Sequence, residues 1–218
     1  MKRVIGSLAV LALTLMLSAP AKADYIGPGG SGPPDVFSTS LGTLLADTGV
    51  LSWTTNTMNG LAETQVYSDP SNVFCPGCLD FIFAVSNGST SDDTIQRVTD
   101  TSFKGFLTDV GYTTTLVCVQ GTNENPDNVD RSINGSVVGF NWSLALGNGV
   151  APGECTPALD IETNATTFKL ATLNVIDGSV ASVSSYGPNV PEPASMLLLG
   201  SGLFGLAGYL RRRKSPKA

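Results

Sequence analysis

The chain has 218 residues, 42% hydrophobic and only 14% charged, with a formal net charge of −6 and no histidine. The missing imidazole excludes Ser-His-Asp and Cys-His catalysis and any histidine-bearing zinc site. Between Asp24 and Val190 four basic residues, Arg97, Lys104, Arg131 and Lys169, face seventeen acidic ones. That balance of −13 disfavours nucleic acid and anionic lipid as partners.

Met1 to Ala23 opens with Lys2 and Arg3, continues through an apolar run from Val4 to Leu17 and closes on Ala21-Lys22-Ala23. A charged n-region, a short apolar h-region and a small-x-small site in that order form a secretory signal peptide. Residues 1–23 are therefore expected to be removed after Ala23, with Ala21 and Ala23 forming the cleavage site. Residues 24–35 include YIGPGGSGPPD, a glycine- and proline-rich run expected to be a flexible linker. About 167 residues lie between the two ends, enough for one domain with its own core. That domain is expected over 36–186, followed by a second linker over 187–193.

Helical periodicity is scarce in the body. Leu79 to Ser86 is rich in aromatic and branched residues and ends at Asn87-Gly88, and Gly111 to Val119 has high strand propensity. Ser136 to Leu146, Pro157 to Glu162, Thr167 to Ile176 and Ser179 to Val183 add short strands between Asn/Asp/Gly turns. This spacing predicts a mainly β domain, an antiparallel β-sandwich. A helical turn is the alternative at Thr43 to Ala46.

Cys75, Cys78, Cys118 and Cys155 all fall in the exported part, where an oxidising compartment and an even count favour disulfides. Three connectivities are open. Cys75–Cys78 with Cys118–Cys155 is favoured, because the short CPGC loop closes locally and the second bridge staples distant segments. Thioredoxin-like redox chemistry wants its first cysteine at a helix N-terminus, whereas CPGC leads into a strand-like run. A zinc site is disfavoured because the other two cysteines lack paired spacing.

The loop Asn123 to Asp130 offers side-chain oxygens suited to Ca²⁺, with Asp127 and Asp130 as the weak candidate ligands. It departs from the EF-hand pattern, carrying Asn128 where glycine belongs and Asn134 where the bidentate glutamate belongs, so a solvated turn is the preferred reading. Trp53, Trp142 and Tyr112 are candidate sugar-stacking residues if exposed, though core burial is the commoner fate of aromatics in a sandwich. No catalytic residue and no cofactor is identified. An acid–base glycosidase is the least excluded enzyme, since its carboxylate pair meets only in space.

The chain ends VPEPASMLLLGSGLFGLAGYLRRRKSPKA. Met196 to Leu210 is uncharged and spans about 22 Å as a helix, short of a hydrocarbon core of about 30 Å. Bilayer thinning and snorkelling of Arg211, Arg212, Arg213 and Lys214 close part of that gap. A single transmembrane helix is expected over 194–210, with 211–218 as a basic cytoplasmic tail and Arg211 to Lys214 as the membrane stop. Gly200-Ser201-Gly202-Leu203-Phe204-Gly205 spells G-x-G-x-x-G but lies inside this apolar run, without the βαβ unit a dinucleotide site needs.

Pro191-Glu192-Pro193, a glycine-spotted apolar helix and an arginine cluster, in that order, resemble a PEP-CTERM sorting signal. The same region is sometimes labelled an ice-binding protein C-terminal domain. The resemblance implies that Pro191, Glu192 and Pro193 form the sorting motif, that exosortase is the processing partner, and that the source is a Gram-negative bacterium making exopolysaccharide. The body, from CLDFIFAVSNGSTSDDTIQRVTD to ETNATTFKLATLNVIDG, is similar to other exported PEP-CTERM proteins, which are β-rich. The resulting expectation is a non-enzymatic, exosortase-sorted protein of the cell surface or extracellular (biofilm) matrix, anchored transiently in the membrane. A carbohydrate-binding module for the exopolysaccharide is the alternative. Ice binding is disfavoured because no regular Thr-x-Thr repeat runs through the chain.

Overall fold

The computed structural model describes residues 25–37, 42–113, 123–143 and 148–190. The described residues form strands and no helix. In chain order these are β1 (Ser31–Gly32), β2 (Asp35–Val36), β3 (Thr43–Asp47), β4 (Leu51–Thr54), β5 (Asn59–Asp69), β6 (Cys78–Asn87) and β7 (Arg97–Thr101). After them come β8 (Thr108–Thr113), β9 (Asn128–Arg131), β10 (Val137–Asn141), β11 (Ala158–Thr163), β12 (Phe168–Asp177) and β13 (Ser179–Pro188). The first sheet runs β1-β9-β10-β7-β12-β13. The second runs β2-β8-β11-β6-β5-β3, with β4 also on β5. All pairings are antiparallel except β2 on β8, which is parallel.

Side-chain alternation explains how the sheets share one core. In β6, Leu79, Phe81, Phe83 and Val85 are all but fully buried and belong to the apolar cluster. Their neighbours on the same strand point to the opposite face, as the pleat requires. In β11, Leu159 and Ile161 face inward with Phe83 and Phe81 as cross-strand partners. The first sheet contributes Val98, Val129, Val138, Phe140, Leu173 and Val175 to the same cluster.

Four departures from the sequence reading stand out. Thr43 to Ala46 belongs to β3 and pairs with β5 across an irregular register between Leu44 and Ala46. The 11-residue β5 is the long strand that sequence inspection passed over. The expected linker over 24–35 is built into both sheets: β1 pairs with β9, β2 pairs with β8, and Ile26 is buried in the core. Nor does the fold stop at 186, because β13 continues to Pro188 and the Asn189 N–H donates to Thr167 O at 2.9 Å. Glycine reads as flexibility in isolation, yet here the Gly29 N–H donates to Arg131 O at 3.1 Å and Gly30 O accepts from the Arg131 N–H at 2.9 Å.

The expected signal peptide, transmembrane helix and basic tail lie outside the described residues. Among those described, no helix is long and apolar enough to cross a membrane.

Candidate functional site

The outer face of the second sheet, opposite the core, gathers carboxylates. Glu162 on β11 stands opposite Asp80 on β6 and opposite Asp109 on β8, so three acids line one row across three strands. Asp160, two residues earlier on β11, shares that face by the period of two. Asp69 closes β5 beside them, opposite Cys78. Ligand oxygens of Asp69, Asp80 and Glu162 lie within 4.8 Å of one another, and all three residues are buried.

The turn between β5 and β6 covers this face. Asn72 Nδ2 donates to Asp80 Oδ1 at 2.6 Å and to Thr163 O at 3.2 Å. The Val73 N–H donates to Glu162 Oε2 at 3.0 Å. Asp69 turns back onto Ser71, accepting from its N–H at 2.8 Å and its hydroxyl at 2.7 Å. The Cys75–Cys78 disulfide closes this turn, the local pairing expected of CPGC. On the other flank, Gly111 lies opposite Asp160. A Cβ there would collide with Asp35 O and come 2.9 Å from the Phe37 ring, so only glycine lets the chain around β2 lie so close.

Crowding and burial raise the acids together. Burial pushes Asp80 up to about 8, Asn72 opposes this, and the charges of Glu162 and Asp69 add to it. Burial likewise raises Asp109 to about 7, with Asp35 next in importance. Glu162 is raised by burial, and the Val73 N–H partly offsets that rise. Asp160 is held well above the usual carboxylate range, first by burial and then by Asp80, Glu162, Asp69 and Asp109. Asp160 Oδ1 and Asp109 Oδ1 are buried and accept no hydrogen bond. The set offers oxygen alone, with neither imidazole nor thiolate in reach. Paired carboxyls with separated affinities can serve glycoside hydrolysis, but residues 1% to 7% exposed leave no cleft for a sugar ring.

The residues singled out from sequence fall elsewhere. Asp130, on β9, forms an ion pair with Arg97 and accepts from Asn141 Nδ2 at 2.7 Å. Asp127 accepts from the Ser143 N–H at 2.7 Å and Asn148 Nδ2 at 2.6 Å. N–H donors thus take the oxygens that a calcium ion at this loop would need. Trp53 and Trp142 are each 4% exposed, the former against Gly60, the latter donating from Nε1 to Glu124 O at 3.0 Å. Tyr112 packs against the core. Burial thus closes most of both tryptophans, Tyr112 is half-buried, and Trp53 lines with Ser52, Thr54, Asn59, Ser86 and Thr90 an open groove of about 510 Å³. Cys155 is buried and is not a free thiol, while Cys118, its expected partner, lies outside the described residues. Also outside them are Ala21 and Ala23, Pro191 to Pro193, and Arg211 to Lys214.

Sequence reasoning missed Asp69, Asp80, Asp160 and Glu162 as a group. A signal was present: single acids interrupt apolar strands in Leu79-Asp80-Phe81 and Leu159-Asp160-Ile161-Glu162. Their convergence depends on strand register, which a single sequence does not state.

No match to the chain emerges among curated proteins or among solved structures. The PEP-CTERM protein-sorting motif matches residues 189–214, starting one residue beyond the end of β13. That match implies an exported protein targeted by exosortase, and it lends nothing to the ice-binding label.

Proposed function

We propose that this chain is an exosortase-sorted protein of the cell surface or extracellular matrix, whose two-sheet β domain acts as a non-catalytic structural unit. The observation that carries the reading is the sorting motif over 189–214, set directly after the last strand. In this reading the precursor loses its signal peptide after Ala23 and is held briefly by the apolar segment, with Arg211 to Lys214 on the cytoplasmic side. Exosortase then cuts near Pro191 to Pro193, and the sandwich is released or attached outside. Support for a non-catalytic unit comes from the missing histidine and from acids buried away from any substrate.

Intact-mass measurement of surface and medium fractions, with and without exosortase, tests the reading. The expected mature chain begins at Asp24 and lacks Arg211 to Arg213 only where exosortase is present. Mature extracellular protein that keeps those arginines would overturn it.

A further inference from the structure

We propose that the free edge of β13 pairs antiparallel with β13 of a second copy of this chain, joining two domains through one continuous sheet. Sheet edges are normally blunted by shortness, charge, proline or a bulge. The other edges among the described strands follow that rule. β1 and β2 are two residues each, β4 is four, and β3 carries Asp47 and a register shift between Leu44 and Ala46. β13 does not. It runs ten residues, pairs with β12 without a register shift, carries no charged residue and has its one proline at the last position.

Backbone direction identifies the open groups. On β12, Ile176 O accepts from the Gln96 N–H at 3.3 Å and the Thr172 N–H donates to Thr101 Oγ1 at 3.1 Å, so both residues turn toward β7. Their partners on β13 are Val180 and Ser184. Alternation then directs the N–H and C=O of Val180, Ser182, Ser184 and Tyr186 away from β12. Among the described residues, no other strand pairs on that side of β13 and no hydrogen bond reaches those backbone groups. Their side chains share the outer face, where Val180 is 60% exposed and Ser182 and Ser184 are exposed as well.

The edge is its own complement, which selects the occupant. An antiparallel copy, with the two-fold axis through Val183, sets Val180 opposite Tyr186 and Ser182 opposite Ser184. Every open residue then meets an open residue and exchanges both N–H···O bonds with it. Side chains match in the same register: Val180 with Tyr186 is a branched–aromatic pair, and the two serines make a hydroxyl pair. Within each copy Val180 stands opposite Ile176, and Tyr186 opposite Leu170, which is 70% exposed. Pairing therefore draws Ile176, Val180, Tyr186 and Leu170 into one apolar row across both copies. Charge points to the same edge. A domain of −13 repels its own copies, and an uncharged strand lets two of them meet without like charges standing opposite one another. The pairing concerns the β domain alone and holds or fails independently of the sorting signal.

The test is sedimentation equilibrium of the full chain in density-matched detergent over a range of loading concentrations. A monomer–dimer equilibrium is expected, with a dissociation constant on the order of 10⁻⁵ M, since a single strand pair makes a small interface. Ser184→Pro removes an outward N–H that β12 does not use. That variant should keep its unfolding midpoint in urea while dimerisation weakens more than ~10-fold. A charge swap guards against misfolding of the proline variant. A Ser182→Glu, Ser184→Glu chain and a Ser182→Lys, Ser184→Lys chain set like charges opposite one another, so each alone should stay monomeric. Their equimolar mixture should recover the dimer, because opposite charges then face across the two-fold. The proposal is overturned by any of three results. These are a chain monomeric up to about 1 mM, association undiminished in the folded Ser184→Pro variant, which would place the contact elsewhere in the chain, and a mixture no more dimeric than either charged chain alone.

Discussion

Arg131 is 3% exposed and, among the described residues, makes no ion pair. It donates instead to the carbonyls of Gly135, Ile26, Phe103 and Phe106 and to Thr108 Oγ1. One guanidinium thus joins the N-terminal segment, the turn after β7, β8 and the β9–β10 hairpin, using the five donors only arginine has. Arg131→Met leaves those acceptors unpaired and is expected to cost about 3 kcal/mol or more in urea unfolding. Arg131→Lys, with three donors, should fall between; a lysine variant as stable as the unaltered chain would remove arginine's special role. Asp100 presents the opposite problem. It is fully buried on the core side of β7, accepting from the Thr101 N–H, with Oδ2 unpaired and Ser185 Oγ near enough to ease its charge though outside hydrogen-bond geometry. Burial raises its affinity for a proton well above the ordinary value of 3.8. The folded state therefore holds that proton to higher pH than the unfolded chain does, so its contribution is greatest below 3.8 and declines as pH rises above it. Asp100→Asn should flatten this decline in a series of unfolding midpoints against pH. An unchanged slope would mean that other groups cause it.

Strands with a strong apolar period were legible in advance, and those without one were not. β6 and β11 could be read because Leu79, Phe81, Phe83 and Leu159, Ile161 alternate on the core face, and β12 and β13 follow the same rule. β5 escaped because its inward positions are Ala62, Thr64 and Val66, small or polar enough to blur the period of two. β1 and β2 are two residues each, too short for any period, and are held by partners some 75 to 100 residues away in sequence. The CPGC turn lies between these extremes: its disulfide could be read from spacing, while its placement over the acidic row required the β5–β6 register. Cross-linking so short a loop is worth about 2 kcal/mol on the chain-entropy argument. A Cys75→Ser, Cys78→Ser double variant should therefore lose roughly that much stability. Its turn should also open locally, with faster amide exchange at Val73 and Gly77 and unchanged exchange at Phe83. Exchange rising equally at all three would show a global loss in place of a local one.

At the scale of the molecule, the described strands run from Ser31 to Pro188, between the expected signal-peptide cut and the sorting motif. Ile26, three residues beyond the expected cut after Ala23, is already in the core, and β13 ends at Pro188, one residue before the sorting motif begins. The last tie is reciprocal: the Asn189 N–H donates to Thr167 O at 2.9 Å, and Thr167 Oγ1 donates to Asn189 O at 3.0 Å. Just inside it, Phe168 and Tyr186 meet edge to face with centroids 5.4 Å apart. A cut near Pro191 to Pro193 therefore falls beyond every one of these contacts, and release should leave the domain unchanged. A chain ending at Val190 is expected to unfold at the same urea concentration as one ending at Pro193, within the ±0.5 kcal/mol typical of surface changes. A chain ending at Gly187 loses the buried Pro188 and both hydrogen bonds of the tie, and should be weaker by about 1–3 kcal/mol. If the Gly187 and Val190 chains unfold together, the last strand contributes nothing and exosortase has no structural boundary to respect. If the Val190 chain is itself weakened, the domain depends on residues that sorting removes, and the mature protein would have to find that support elsewhere.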